Sequence, residues 1–272
     1  MNQTLNIGPL ALPAVLPLAI VALLVASAAG GWAARRTGAA VEKHLYGMLF
    51  AGLLAARIAF VLQYLDAYLA TPWRMLDVRD GGWNALAGLA AALVYGAVLA
   101  VRSAPLRKPL AAATAGAAAV WFAGVLLLGA TKPQTTQLPE LSFTSLEGTQ
   151  VPLAAFRGKP LVVNLWATWC PPCRREMPVL QQAQAQRGDV HFVFLNQGES
   201  AERVQNWLRT QPQPLRNVLL DTHGELGVQR GHRALPTTLF FDAQGRLVDT
   251  RVGELSPASL AERLERVAGN PG

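Results

Sequence analysis

Cys170 and Cys173 are the only cysteines in the 272-residue chain, and they stand three apart in Trp169-Cys170-Pro171-Pro172-Cys173. Two sulfurs at that spacing can exchange a disulfide or supply half of a zinc site. A structural zinc takes about four ligands; there is no second cysteine pair, His191, His223 and His232 could contribute only by coincidence, and His44 lies in the apolar half. A disulfide scaffold needs more cysteines and longer loops. The redox reading has more behind it. A short apolar, β-branched run precedes the motif and a helical pattern follows, so Cys170 falls at a helix N-terminus. Unpaired N–H groups and the helix dipole favour a thiolate there, and the thiolate is the form that attacks disulfides. Cys173, one turn deeper, can then attack the mixed disulfide and release the product. Pro171 and Pro172 sit where a helix needs no donors. Arg174 and Arg175 add positive charge, and Glu176 opposes it.

The flanking elements must position this motif. Leu161–Trp166 reads as a strand buried on both faces, and Cys173–Gln186 as a helix. Upstream, Leu141–Leu146 and Val151–Leu153 form a hairpin turning at Gly148. Downstream come a strand at Val190–Leu195, a helix at Glu202–Arg209 and a short strand at Val218–Leu220. Thr237–Phe241 and Leu247–Val252 flank a turn at Asp242-Ala243-Gln244-Gly245. Ser256 caps a last amphipathic helix with Pro257 in its first turn. The pattern is α/β, with helices on both faces of a mixed sheet. Pro236, in Ala234-Leu235-Pro236-Thr237-Thr238, opens a strand. In a dithiol fold a proline facing the cysteines is often cis; a trans proline at a strand's first residue accounts for it equally well.

Only 15% of residues are charged and 51% are hydrophobic, which excludes disorder for most of the chain and argues against one uniformly soluble domain. The net charge of +7 is divided unevenly. Residues 1–137 carry 10 basic and 4 acidic side chains, residues 138–272 carry 14 and 13. The excess thus clusters between apolar runs, where it reads as a topology signal and not as a nucleic-acid face. Four spans are expected, near Leu10–Ala34, Leu45–Leu69, Trp83–Val101 and Leu110–Ala130. The first loop holds Arg35, Arg36 and Lys43 against Glu42; the third holds Arg102, Arg107 and Lys108 with no acid; the second balances Arg74 and Arg79 with Asp77 and Asp80. The positive-inside rule places loops one and three in the cytoplasm and both termini outside. The expected domains are a transmembrane region at 1–131, a polar linker at 132–138 and an α/β domain at 139–268.

From about Leu138 to Val267 the chain resembles the TlpA-like thiol–disulfide oxidoreductases, a membrane-tethered branch of the thioredoxin superfamily. The resemblance rests on Phe156-Arg157-Gly158-Lys159-Pro160, on the run from Val163 through the cysteines to Met177-Pro178, and on Leu235-Pro236-Thr237-Thr238. It implies a thioredoxin-like fold with an added hairpin, Cys170 as nucleophile, Cys173 as resolving thiol and a cis Pro236. Trp169, Pro171, Pro172 and Leu235 would line the substrate groove. Asn164 stands where cytosolic thioredoxins carry a buried acid, and an amide cannot take the resolving thiol's proton. Glu176 resembles the family's acidic residue and is the candidate for that role; the alternative is a first-turn glutamate complementing the helix dipole.

In the apolar half, Arg57 lies midway along the second span, where a charge is costly and marks a functional candidate. The alternative is an arginine neutralised by lipid phosphate or a neighbouring span. Gly88, Ala92, Gly96 and Ala100 recur every four residues, as in close helix packing. Gly8-Pro9, Ala56-Arg57 and Asp80-Gly81-Gly82-Trp83-Asn84-Ala85-Leu86-Ala87-Gly88 resemble the N-terminal spans of prolipoprotein diacylglyceryl transferases. That family carries a histidine where Leu86 stands, and its remaining spans have no room here.

Together these readings point to an inner-membrane, multi-pass protein with its redox domain on the periplasmic side, reducing disulfides of oxidised proteins or apocytochrome-type substrates. No cofactor is implied, since the electrons travel in the sulfur pair. No cysteine lies in residues 1–137, so a separate membrane or extracytoplasmic donor must supply them. Two other readings stay open: a lipid-binding or transferase-derived scaffold on which the redox-like domain is a docking module, and a metal-handling chaperone.

Overall fold

The computed structural model describes residues 4–7, 10–13, 15–35, 38, 40–69, 72–130, 137–231 and 234–268. Contacts divide the chain into two compact units, one mainly of residues 13–75 and 81–132, the other mainly of 133–272. A two-stranded ribbon, β1 (Thr4–Ile7) with β2 (Leu10–Pro13), precedes them.

The first unit contains α1 (Val15–Ala34), α2 (Glu42–Gln63), the short α3 (Leu65–Leu69), α4 (Ala85–Arg102) and α5 (Ala104–Ala130). Four stretches are long and apolar enough to cross a membrane: Leu16–Ala34, Glu42–Gln63, Ala85–Arg102 and Ala104–Leu128. Their outward faces carry large apolar side chains such as Leu24, Phe50 and Leu126. Three boundaries differ from expectation. The first helix begins only after Pro13, leaving Pro17 in its first turn, where no donor is required. The second stops at Gln63 because Tyr64 leaves helical geometry (φ −116°, ψ 35°), and α3 continues separately. The fourth begins at Ala104, not Leu110, because Arg107 and Lys108 are good helix formers and Pro109 is accommodated within the helix. A single residue, Ser103, joins it to α4.

Helix α1 packs on α5 and α2 on α4. The small-residue spacing explains the second pair. A side chain at Gly88 would meet the Ala56 Cβ and Gly52 carbonyl at 2.9 Å, and one at Gly96 would meet Met48 Cε at 2.7 Å. At Gly88 the obstacle includes the facing backbone, so glycine there lets the two helices approach closely, while at Gly96 it leaves room for the Met48 side chain.

The second unit is a seven-stranded sheet in the order β4-β3-β7-β6-β5-β8-β9. The strands are β3 (Ser142–Ser145), β4 (Gln150–Pro152), β5 (Leu161–Trp166), β6 (His191–Gln197), β7 (Val218–Asp221), β8 (Thr237–Phe241) and β9 (Leu247–Val252). Strand β5 runs parallel to β6, and β6 to β7; the other pairings are antiparallel. The helices are α6 (Pro171–Gln186), α7 (Ala201–Leu208), α8 (Glu225–Gln229) and α9 (Pro257–Ala268). The mixed sheet, the Gly148 hairpin (φ +85°) and every expected strand are present; α8 is additional, too short for its apolar period to register.

All six residues of β5 are buried, and their alternation makes two cores. Val162 and Trp166 face the cysteines, α6, α7 and α9. Leu161, Val163 and Leu165 face the opposite side with Leu153, Phe143 and Leu226. Asn164 shares the first face by parity, which sets an amide beneath the start of α6. Of the expected linker, Gln137 bridges to Arg246 and Leu138 is buried; the rest lies outside the described residues.

Candidate functional site

The site begins where β5 ends. Ala167, Thr168 and Trp169 turn the chain, and Cys170 is the N-cap of α6, with extended backbone (φ −89°, ψ 106°). Its Sγ accepts the Cys173 N–H at 3.3 Å, and its carbonyl accepts the first helical bond from Arg174 N at 3.1 Å. The sulfur therefore sits where the oxygen of a serine or aspartate cap would, aimed at the helix donors. Pro171 and Pro172 occupy the first two helical positions at no loss of hydrogen bonds. The two sulfurs are joined as a disulfide. Cys173 is fully buried and Cys170 is 3% exposed, whereas Trp169 is 63% exposed. What a partner meets first is the indole, with the nucleophile candidate just behind it.

Glu176 lies one turn beyond Cys173 on the same helix face and is completely buried. Its Oε1 accepts from Asn164 Nδ2 at 2.8 Å and its Oε2 from Leu255 N at 2.9 Å. Burial pushes the carboxyl up to about 7; the two donors and Arg251 oppose the shift, and nearby Glu254 adds to it. A carboxyl poised near neutrality can take or give a proton at working pH. The dipole-complementing alternative requires a glutamate in the first turn; α6 begins at Pro171 and carries no acid there, so Glu176 lies beyond it.

Strand pairing brings the other half of the site. Asn164 lies opposite Thr238 and Leu165 opposite Thr237, so Pro236 arrives beside the end of β5 from which the cysteine turn departs. Asn164 Nδ2 also donates to Thr238 Oγ1 at 3.0 Å. The Leu235–Pro236 peptide is cis. Leu235 packs against the core cluster that contains both cysteines. Cys170, Cys173, Glu176, Trp169, Pro171, Pro172, Leu235 and Pro236 are thus gathered at one end of the sheet.

The sequence reading missed Glu199. It is 5% exposed, between β6 and the Ser200 N-cap of α7. Its carboxylate accepts from Thr168 N at 2.7 Å, Thr168 Oγ1 at 2.6 Å and Asn196 Nδ2 at 2.8 Å. It clamps the turn just before Trp169 and Cys170. In sequence it resembles any acid near a helix start, and its partner 31 residues away was invisible. Glu199→Ala strips three donors of their acceptor and is expected to lower stability by about 2 kcal/mol, with Glu199→Gln costing about half as much. Denaturant midpoints of the two variants check this.

Other candidates lie apart. His191 starts β6, at the opposite end of the sheet from the cysteines, with its ring against Phe156. His223 is exposed after β7, and His232 lies outside the described residues. Among the described residues no three His, Cys, Asp or Glu side chains gather as a metal site. In the helical unit Arg57 is 8% exposed and donates to three backbone carbonyls: Met75 at 3.0 Å, Gly82 at 2.9 Å and Arg74 at 3.1 Å. It also lies over the Tyr68 ring. Of the transferase-like residues, Gly8 and Pro9 lie outside the described residues, and Gly82 lets the Phe60 ring pass where a Cβ would come within 2.2 Å.

A redox cysteine pair at a helix N-terminus, a cis-proline strand beside it and a buried acid beneath it define a thioredoxin-like thiol–disulfide oxidoreductase. The Redoxin family model matches residues 133–264. Over 137 residues the chain is 30% identical to the thioredoxin-like protein YneN of Bacillus subtilis, covering 47% of this chain and 77% of that one. It is 29% identical to the thiol-disulfide oxidoreductase ResA of Bacillus thuringiensis subsp. konkukian, over 48% of this chain and 76% of the relative. The thiol:disulfide interchange protein DsbE of Escherichia coli K12 is 33% identical, over 40% and 58%. The chain belongs to this thioredoxin-like family, and its C-terminal half is the part that matches.

Proposed function

We propose that the chain is a membrane-anchored, extracytoplasmic reductase of protein disulfides. The observation that carries this is the stacking of three groups along the first turns of α6. Cys170 Sγ receives the helix N–H, Cys173 lies buried behind it, and Glu176 sits beneath with its carboxyl near neutrality. In the reduced form the Cys170 thiolate attacks a substrate disulfide; a Cys170–substrate bond forms and the other substrate sulfur leaves, taking a proton. Cys173 then gives its proton to Glu176 and attacks Cys170 Sγ, expelling the second substrate thiolate, which is protonated from solvent as Glu176 releases its own proton. The substrate gains two electrons and two protons, and the protein is left with the Cys170–Cys173 disulfide. A second dithiol protein must reverse that oxidation, because residues 1–137 hold no cysteine to relay electrons.

Leu235, Pro236, Trp169, Pro171 and Pro172 shape the groove for an extended substrate segment, such as an oxidised protein or an apocytochrome-type chain. The basic first and third loops support an outside location for the redox domain. The transferase-like stretch is read as architecture, since the Arg57 guanidinium is spent on the chain's own carbonyls.

Labelling spheroplasts with a membrane-impermeant maleimide tests location and redox state together. Cys170 is expected to label without lysis, as an external, reduced thiol. Labelling only after an impermeant reductant would replace the reductase reading with an oxidase, and labelling only after lysis would overturn the topology.

A further inference from the structure

A cleft of about 330 Å³ opens on the flank of α6, lined by Pro171, Arg174, Arg175, Trp207 and Gln211. Pro171 ties it to the site, being the residue next to Cys170. Trp207 forms its apolar wall, half-buried and braced against Trp166 with ring centroids 4.9 Å apart. The two guanidinium groups differ. Arg175 holds the Glu254 carboxylate at 2.8 Å. Arg174 is exposed and has no ion-pair partner among the described residues. The cleft therefore presents one uncompensated cation beside an indole, within one helical turn of the reactive sulfur.

Resting on the reductase reading above, we infer that this cleft receives an acidic side chain of the substrate polypeptide, two residues from the cysteine that Cys170 attacks. The reach follows from backbone dimensions. Arg174 lies four residues beyond Cys170, about 6 Å along the helix axis. An extended substrate advances about 3.3 Å per residue and alternates sides, so its second residue lies about 6.6 Å from the attacked cysteine, on the same face. A carboxylate at that position meets the Arg174 guanidinium; a lysine there meets a like charge with no acid paired to it. The cleft would thus select among disulfides by the charge of their flanks.

The test uses the full chain in detergent, with dithiothreitol as electron source. The substrates are symmetric disulfide dimers of a short peptide carrying Glu, Gln or Lys two residues to either side of cysteine. Wild type is expected to favour the Glu over the Lys peptide by about fivefold in kcat/KM at low salt, a ratio compressed at about 0.5 M salt. Arg174→Gln is expected to bring the ratio towards one, and Arg174→Glu to invert it. The intrinsic reactivity of each peptide cancels in comparing ratios between proteins. The same ratio in wild type and both variants overturns the cleft assignment. Wild type unable to reduce the neutral hydroxyethyl disulfide would overturn the redox reading itself, and the inference with it.

Discussion

Cys170→Ser is expected to abolish turnover of a protein disulfide, by at least about a thousandfold, since the reacting nucleophile is lost. A serine hydroxyl is not ionised at neutral pH and does not open an S–S bond. The substitution also isolates chemistry from folding. Position 170 is an N-cap whose side chain accepts the residue 173 N–H, and serine is a preferred residue for that task. Helix α6 should therefore start where it does now, and the denaturant midpoint, compared with reduced wild type, should barely move. Cys173→Ser should behave differently: the first attack proceeds, resolution fails, and a Cys170–substrate adduct accumulates on a non-reducing gel. Turnover retained in Cys170→Ser, or no adduct in Cys173→Ser, would overturn the assigned roles. Assays on reduced proteins with an oxidised peptide supply both readings.

Much of this site was legible because it is local. The five residues from Trp169 to Cys173 carry the spacing, the prolines and the helix start within one turn, and a buried strand announces itself by a six-residue run in which only Asn164 is polar. Glu176 could be singled out by its distance from Cys173, but its burial could not, because that depends on Leu255 donating from 79 residues away. Pro236 was recognisable as a strand opener; that it arrives beside the cysteines follows from the β5–β8 register, a non-local pairing. Glu199 stayed hidden for the same reason. In the helical unit hydropathy located four helices long and apolar enough to cross a membrane, yet the ends slipped wherever a local feature overrode the average: Pro13, Tyr64, and the helix-forming Arg107 and Lys108. Arg57 was flagged by its cost in a membrane, and its resolution lies in three carbonyls from a segment 17 to 25 residues downstream.

Glu176→Gln is expected to change the pH dependence of both stability and resolution. Burial raises the folded carboxyl to about 7, above an unfolded value of about 4.3. The folded state therefore binds the proton more tightly, and wild type is most stable at low pH with respect to this group. That stability is lost as pH rises from the unfolded value through about 7, an effect on the order of 3–4 kcal/mol. Glutamine does not titrate, so the variant's denaturation midpoint should lose this slope between about pH 5 and 7.5. The cavity can accept the amide. Asn164 Oδ1 is buried without a partner, while Nδ2 faces both Glu176 and Thr238. Rotating the Asn164 amide by half a turn presents its oxygen to a protonated acid or a glutamine N–H, and to the Thr238 hydroxyl as donor. The chemical consequence is larger. In wild type, release of substrate from the Cys170 mixed disulfide should rise with pH through about 7 as Glu176 becomes able to accept the Cys173 proton. In Glu176→Gln that rise should vanish, leaving a slower release, down about 10²-fold at pH 7, that climbs only as the buried thiol ionises unaided at higher pH. A role confined to packing would lower the stability of the variant but leave the midpoint of the release profile in place. Single-turnover release between pH 5 and 9 separates the two, and an unshifted profile would remove Glu176 from the proton transfer.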